Sequence, residues 1–407
     1  MQPGSSTSGR GGAARQESLR EHNLGLVART ILTSADRPSR ADVASATGLT
    51  RATVSRLVEE LIDARLVSEC SPRVAGRAGR PAIPLTAASR TIAGLGLEVN
   101  IDYLGGRVVD LTGDVLAETE VAGNFRAAEP RDVLGQLGAL GRSLAQEVTA
   151  SGVRLAGTGL ALPGLVDQTS GTLHRAPNLG WSELVPADLL GGVPGGVFLL
   201  GNEARLAALA ELGAGDRGAS FLYLSGDVGV GAAIVRDGEL FSGEHGWSGE
   251  LGHVAVDPAG PLCRCGATGC LETYAGKDAL LQAAGLDVSL PVAALVEALE
   301  AGDGAARAAV DRAAVALGTA VGGFINLVDI SDVVLGNTLG PLTPHLRSRL
   351  EEELNRRVLA SPWAPPTVRA ARVGERPAMT GAARSVLARV LADPSAWLSA
   401  LRPHVVQ

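Results

Sequence analysis

From Leu19 to Ser34 the apolar residues Leu24, Val27, Ile31 and Leu32 recur at helical spacing and predict a first helix that stops before Ala35-Asp-Arg-Pro38. A second short helix follows, because Ser39 and Asp42 have the spacing of a capping box and Val43, Ala44 and Ala46 lead to the turn-permitting Gly48. Thr50 is placed to cap a third helix, in which Val54, Leu57, Val58 and Leu61 form one apolar stripe. Its leading turn and opposite face carry Arg51, Thr53, Ser55 and Arg56. The period then changes: Leu66–Glu69 and Ile83–Thr86 read as short strands on either side of Gly76-Arg-Ala-Gly-Arg-Pro81. Helix, short helix, glycine turn, polar-faced helix and β-wing together predict a winged helix-turn-helix, whose second helix enters the major groove N-terminus first. Arg77 and Arg80, flanked by Gly and Pro, are slender cations suited to a narrow minor groove.

Beyond Thr86 the pattern becomes Leu-rich and β-branched runs, such as IAGLGLEV (92–99) and ASFLYLSG (219–226), alternating with Gly turns and Ala-rich helices. That alternation predicts an α/β body with several glycine-rich strand ends. The opening MQPGSSTSGRGGAARQ has no apolar core of a signal peptide and is expected to be disordered. The expected division is a tail over 1–17, a winged helix-turn-helix over 18–88 and a body over 89–407.

Charge sharpens this division. Residues 1–90 hold 13 Arg against 8 acidic residues, whereas the rest holds 23 basic against 35 acidic residues. A basic head on an acidic body is the balance of a DNA-binding module attached to a domain with another task. No run of about 18 apolar residues is present to span a bilayer, so a cytoplasmic location without a membrane partner is expected. Lys277 is the chain's single lysine.

Three of the four cysteines fall in CRCGATGCLE (263–272), and His253 lies ten residues upstream in GELGH. Cys263, Cys265, Cys270 and His253 make a Cys3His set suited to tetrahedral zinc, with Gly266 and Gly269 supplying the turns. Four protein ligands leave no open coordination position, so the expected metal, Zn2+, is structural.

The successive motifs LALPGLVD with PNLGW (177–181), NEARLAALAEL (202–212), GWSGELGHVAVDP (246–258), CRCGATGCLETYAG (263–276) and NLVDISDVVLGN (326–337) resemble those of the ROK family of repressors, open reading frames and sugar kinases. The resemblance covers nearly the whole chain. It implies an actin-like/hexokinase-like body of two α/β lobes around a sugar cleft, and the N-terminal head places the chain beside the family's sugar-responsive repressors. By resemblance Asn178, Asn202, Glu203, Glu250, His253 and Glu272 are sugar-binding residues. Carboxylates accept two hydroxyl protons each, and Asn and His fix orientation, which suits a ring of pyranose hydroxyls.

Three nucleotide elements depart from the pattern of the family's kinases. The first phosphate loop, Asp-x-Gly-x-Thr in kinases, reads Glu98-Val-Asn-Ile-Asp102, and the second has Val228 in place of Thr. The adenosine-side Gly-Gly reads Gly336-Asn337. The kinase base is Asp, and Glu203 lengthens it by a methylene. No catalytic residue and no phosphoryl transfer are therefore expected. The function expected is a sugar-responsive repressor that binds operator DNA as a homodimer, with a tetramer also open. The alternatives are an active sugar kinase with an added head, or a DNA-binding scaffold with a vestigial cleft.

Overall fold

The computed structural model describes residues 9–34, 36–71, 83–215 and 218–401. Three helices, α1 (Gly9–Leu32), α2 (Arg40–Thr47) and α3 (Arg51–Asp63), form the head. α1 starts early and takes in residues 9–17, part of the span expected to be a disordered tail. Ala13, Ala14, Arg15 and Gln16 are good helix formers, and they prolong a helix whose later turns are held by apolar packing. Ser39 and Asp42 close the capping box: the Asp42 N–H donates to Ser39 Oγ at 3.3 Å and the Ser39 N–H to the Asp42 carboxylate at 2.9 Å. Those bonds hold the Asp42 carboxyl below its usual range. Gly48 ends α2 at φ 70°, a left-handed conformation that glycine adopts without a Cβ clash. The Thr50 hydroxyl caps α3 by accepting from the Thr53 N–H at 3.2 Å. β1 (Val67–Glu69) and β2 (Leu85–Ala87) pair antiparallel as the base of the wing, while its expected tip lies outside the described residues.

The first lobe comprises β3 (Ile92–Val99), β4 (Tyr103–Asp110), β5 (Val115–Ala122), α4 (Pro130–Ala150) and β6 (Arg154–Leu162). A small antiparallel sheet of β7 (Leu165–Asp167), β8 (Thr172–Ala176) and β9 (Trp181–Leu184) intervenes before β10 (Phe198–Asn202) and α5 (Glu203–Ala214). The second lobe begins with β11 (Phe221–Gly226), β12 (Val230–Arg236) and β13 (Glu239–Leu240). It continues through α6 (Glu272–Ala275), α7 (Lys277–Ala283), α8 (Val292–Glu300) and α9 (Gly304–Val328) to β14 (Asp332–Asn337), α10 (Leu339–Arg357) and β15 (Thr367–Ala370). α11 (Pro377–Ala392) and α12 (Pro394–Leu401) return to the first lobe.

Both main sheets have one plan. In each, a three-strand antiparallel meander is extended by two parallel strands beside its first strand, giving the orders β10-β6-β3-β4-β5 and β15-β14-β11-β12-β13. α4 covers the outer face of the first sheet, and α9 and α10 cover that of the second. α5 and α11 fill the space between the sheets. α9 has the length and composition to cross a bilayer, the one such helix among the described residues, but 67% of its apolar window is buried in the second-lobe core.

α11 sits unusually close to the first sheet. A methyl group on Gly96 would overlap the Met379 carbonyl, one on Gly94 the Ala383 carbonyl, and one on Gly159 the Ala382 carbonyl. The head is not separate from this layer. Leu24, Val27, Ala28 and Ile31 of α1 share one buried cluster with Ile92, Ala156, Val386, Leu387 and Val390, so the apolar core runs across the expected boundary at 88/89. Gly96→Ala is expected to destabilise the protein by about 3 kcal/mol in urea unfolding, because neighbouring backbone cannot retreat. Gly135→Ala, in α4 with nothing within 4 Å of the new methyl, is expected to stabilise by roughly 0.5 kcal/mol in the same measurement.

Candidate functional site

His253 ends a short 3-10 turn (Leu251–His253), and the three cysteines come from the loop that leads into α6. Gly266 and Gly269, at φ 100° and 70°, fold that loop back on itself, and the Cys263 N–H donates to the Ala267 carbonyl at 2.8 Å. The loop is stitched to the histidine segment by the Val256 N–H to Gly269 carbonyl bond at 2.8 Å. One donor atom from each of His253, Cys263, Cys265 and Cys270 lies within 4.8 Å of all the others. Cys263 Sγ is 3.8 Å from His253 Nδ1, and Cys265 Sγ is 3.7 Å from Cys270 Sγ. Three thiols and one imidazole nitrogen in this arrangement fit a thiophilic, four-coordinate ion. The nitrogen facing the thiols is Nδ1, and Nε2 points to Glu250 at 3.9 Å.

The candidate sugar residues gather around this knot from both lobes. Glu272 Oε1 accepts from Cys263 Sγ at 2.8 Å and lies 3.7 Å from His253 Nδ1. Asn178 arrives from the loop before β9 in the first lobe, and its Oδ1 accepts from Arg264 at 3.2 Å. Both polar groups lie against Gly229, where a side chain would strike the Glu272 carboxylate and the Asn178 amide. A cavity of about 540 Å³ opens here, lined by Asn178, Glu272, Val228, Arg264 and Arg312. Glu203 starts α5, and its carboxyl is held well above the usual range by burial, then by the charges of Asp227, Glu98 and Glu250. Asn202 is mainly architectural: Oδ1 accepts from the Ala204 and Arg205 N–H groups at 2.9 and 3.2 Å, and Nδ2 donates to the Gly164 carbonyl at 3.0 Å. Arg264 is not singled out by the sequence, although its place between Cys263 and Cys265 gives a signal, because their loop carries it to Asn178.

At the turns after β3 and β11 the protein's own polar groups hold one another. Asn100 Nδ2 donates to Asp227 at 2.6 Å across the lobes, and Lys277 pairs with Asp102. Glu98 is fully buried, with one oxygen accepting from Tyr103 Oη at 2.6 Å and the other without a partner. Burial pushes its carboxyl from 4.5 to about 7, against the Tyr103 hydrogen bond. Asp227 is also raised, mainly by burial. Gly336 is pressed against the Tyr223 ring, and Asn337 Nδ2 donates to Ser225 at 2.9 Å.

In the head, Arg51 and Arg56 are exposed while Thr53 and Ser55 are half-buried. Thr53 Oγ1 is also engaged by the capping Thr50 hydroxyl at 2.9 Å. The acids of α3 are taken up elsewhere: Glu60 pairs with Arg20, and Glu59 pairs with Arg40 at 2.6 Å. Among the described residues neither Arg51 nor Arg56 has an ion-pair partner, so both remain open to phosphate or base edges. Arg77 and Arg80 lie outside the described residues.

The sequence pattern of the ROK family matches residues 95–389. The chain belongs to the ROK family. An IclR helix-turn-helix domain matches residues 30–69 of this ROK protein. It is similar to the xylose repressor of Caldicellulosiruptor bescii, 27% identical over 395 residues that cover 92% of this chain and 98% of that protein. It is also similar to the DNA-binding transcriptional dual regulator NagC of Escherichia coli, 27% identical over 337 residues that cover 79% and 82% of the two chains. A crystal structure of a ROK family transcriptional regulator, a homolog of the E. coli MLC protein, superposes with a TM-score of 0.74 at 26% identity over 94% of this chain and 98% of that one. A ROK family glucokinase from Streptomyces griseus, in complex with glucose and AMPPNP, shares the fold of the body, with a TM-score of 0.62 at 24% identity over 72% and 98%.

The Glu98 carboxyl gives this ROK body a pH dependence whose sign follows from its shift. The unfolded chain loses the proton near pH 4.5 and the folded chain near 7, so stability falls as pH rises between those values and is level above them. Glu98→Gln keeps the acceptor for Tyr103 and removes the buried charge. It is expected to gain roughly 2 kcal/mol at pH 8 and little at pH 4, read by chemical denaturation at both pH values.

Proposed function

We propose that this chain is a sugar-responsive DNA-binding transcriptional regulator, a repressor whose operator affinity is modulated by a monosaccharide or sugar-derived effector. The observation that carries the reading is the asymmetry of the cleft. Asn178, Glu250, His253 and Glu272 stand together on its sugar side, whereas the loops of its phosphate side hold each other. Asp227, held by Asn100, and Asp102, held by Lys277, set carboxyl groups where a kinase would hold phosphate, so the cleft favours a sugar without a nucleotide and the protein is not a kinase. The repressors it resembles along most of its length support the same reading.

In this mechanism Glu250 and Glu272 accept hydroxyl protons of the sugar and Asn178 orients the ring. Asn202 shapes the turn that presents Glu203. The metal supported by His253, Cys263, Cys265 and Cys270 is a structural Zn2+, which when bound holds the loop carrying Glu272 and fixes the histidine tautomer. With Nδ1 bound to the ion, Nε2 would carry the N–H and donate a hydrogen bond to a sugar hydroxyl. The functional units are the head over 18–88 and the body over 89–407, assembled as a homodimer on a palindromic operator in the cytoplasm. Arg51, Thr53, Ser55 and Arg56 read the major groove, and Arg77 and Arg80 the minor groove. Closure of the cleft moves α11, and the core shared by α11 and α1 carries the movement to the head.

Full-length protein is expected to lose affinity for duplex DNA selected from a random library by about tenfold or more in the presence of D-xylose, D-glucose, N-acetylglucosamine or one of their phosphates. An affinity that none of these changes would remove the effector role. Atomic spectroscopy should find one zinc per chain, absent in Cys270→Ser, and the chelated protein should no longer respond to the sugar. ADP release with the same sugars should stay at background.

A further inference from the structure

Two of the three nucleotide elements that depart from the kinase pattern join the two lobes. Asn100 and Asp102 lie in the β3–β4 turn of the first lobe, and Asp227, Val228 and Lys277 belong to the second. They form a closed circuit. The Asp102 N–H donates to Asn100 Oδ1 at 3.0 Å, and Asn100 Nδ2 donates to the Asp227 carboxylate at 2.6 Å. The Lys277 N–H donates to the Asp227 carbonyl at 2.8 Å, and the Lys277 ammonium returns to Asp102. Alongside it Arg126 of the first lobe pairs with Asp278 of α7 at 2.8 Å.

An apolar contact backs the circuit. Val228 is 7% exposed, and it belongs to a buried cluster whose other members all come from the first lobe. Val228 stands between that apolar core and the cavity, and its methyls pack on the core where a threonine would replace one with a hydroxyl. The sole lysine is almost fully buried, with a side chain 9% exposed. A desolvated ammonium needs a fixed counter-charge, and the half-exposed Asp102 of the opposite lobe pairs with it directly while Asp227 of its own lobe adds a second.

We infer that the two vestigial phosphate loops are an interlobe clasp, in which Asp102, Lys277 and Val228 are positioning residues that hold the lobes at the spacing the effector requires. The clasp joins the lobes through protein groups where a nucleotide would otherwise lie between them. Its existence is independent of the ligand, and only its effect on effector affinity rests on the sugar-sensor reading.

Hydrogen exchange of the full-length, sugar-free protein tests it. Asp102→Asn and Val228→Thr are each expected to raise exchange in residues 99–103 and 226–230 by roughly tenfold, with the rest of both sheets unchanged. Asp102→Lys combined with Lys277→Asp restores the charge pair in reverse and is expected to bring exchange back to within about threefold of the parent. Exchange that stays at the parental rate in both single variants overturns the clasp. A rise that the exchanged pair does not recover overturns the pairing of 102 with 277. In calorimetric titration with D-xylose, D-glucose and N-acetylglucosamine, Asp102→Asn is expected to weaken the sugar that binds by several-fold. If none of the three binds the parent protein, the sensor reading fails for those sugars while the exchange result still decides the clasp.

Discussion

The body is organised around one steric constraint: α11 must lie with its backbone against β3 and β6. The strands meet this by presenting Gly94, Gly96 and Gly159 beneath the carbonyls of Ala383, Met379 and Ala382, and α11 presents Gly381 to the Leu206 carbonyl of α5. Interiors packed at crystal density leave no slack for a side chain at such points. With α11 and α5 drawn in this closely, two sheets of the same plan can face each other across only two helices. The turns at the strand ends are then brought near enough to build a cleft.

Those turns form one wall of the candidate site. Asn100 follows β3, Glu203 follows β10, Asp227 follows β11, and Asn337 ends β14. Open α/β sheets place ligands outside the carboxyl ends of their strands, and both sheets here obey that rule toward a common space. The second lobe adds the cysteine loop, which serves two purposes through neighbouring residues. Cys263, Cys265 and Cys270 converge with His253, while Arg264 and Glu272 face the cavity. The Cys3His cluster and one wall of the cavity are therefore one piece of backbone.

Much of this was legible in the sequence for local reasons. The Ser39–Asp42 box, the Thr50 cap and the Val54, Leu57, Val58 and Leu61 stripe are written within one or two helical turns, and periodicity reads such signals well. Spacing and residue type likewise marked the Cys3His cluster. What escaped depends on distant partners. The pairing of Lys277 with Asp102 spans 175 positions, and the burial of Val228 in the opposite lobe has no local signature. The early start of α1 is not legible locally because its first turn holds Gly9, Gly11 and Gly12, which speak for coil until the docked remainder of the helix is taken into account.

The core that α1 shares with α11 makes the head an arm rigidly attached to the first lobe and not a bead on a string. A bead conveys only proximity, whereas an arm conveys angle. In a two-headed assembly a rotation at the root of one arm swings its recognition helix relative to its half-site while the other helix stays seated. A modest change in cleft angle would thus be amplified into a change of register on DNA, and the amplifier is an apolar contact that touches neither sugar nor DNA.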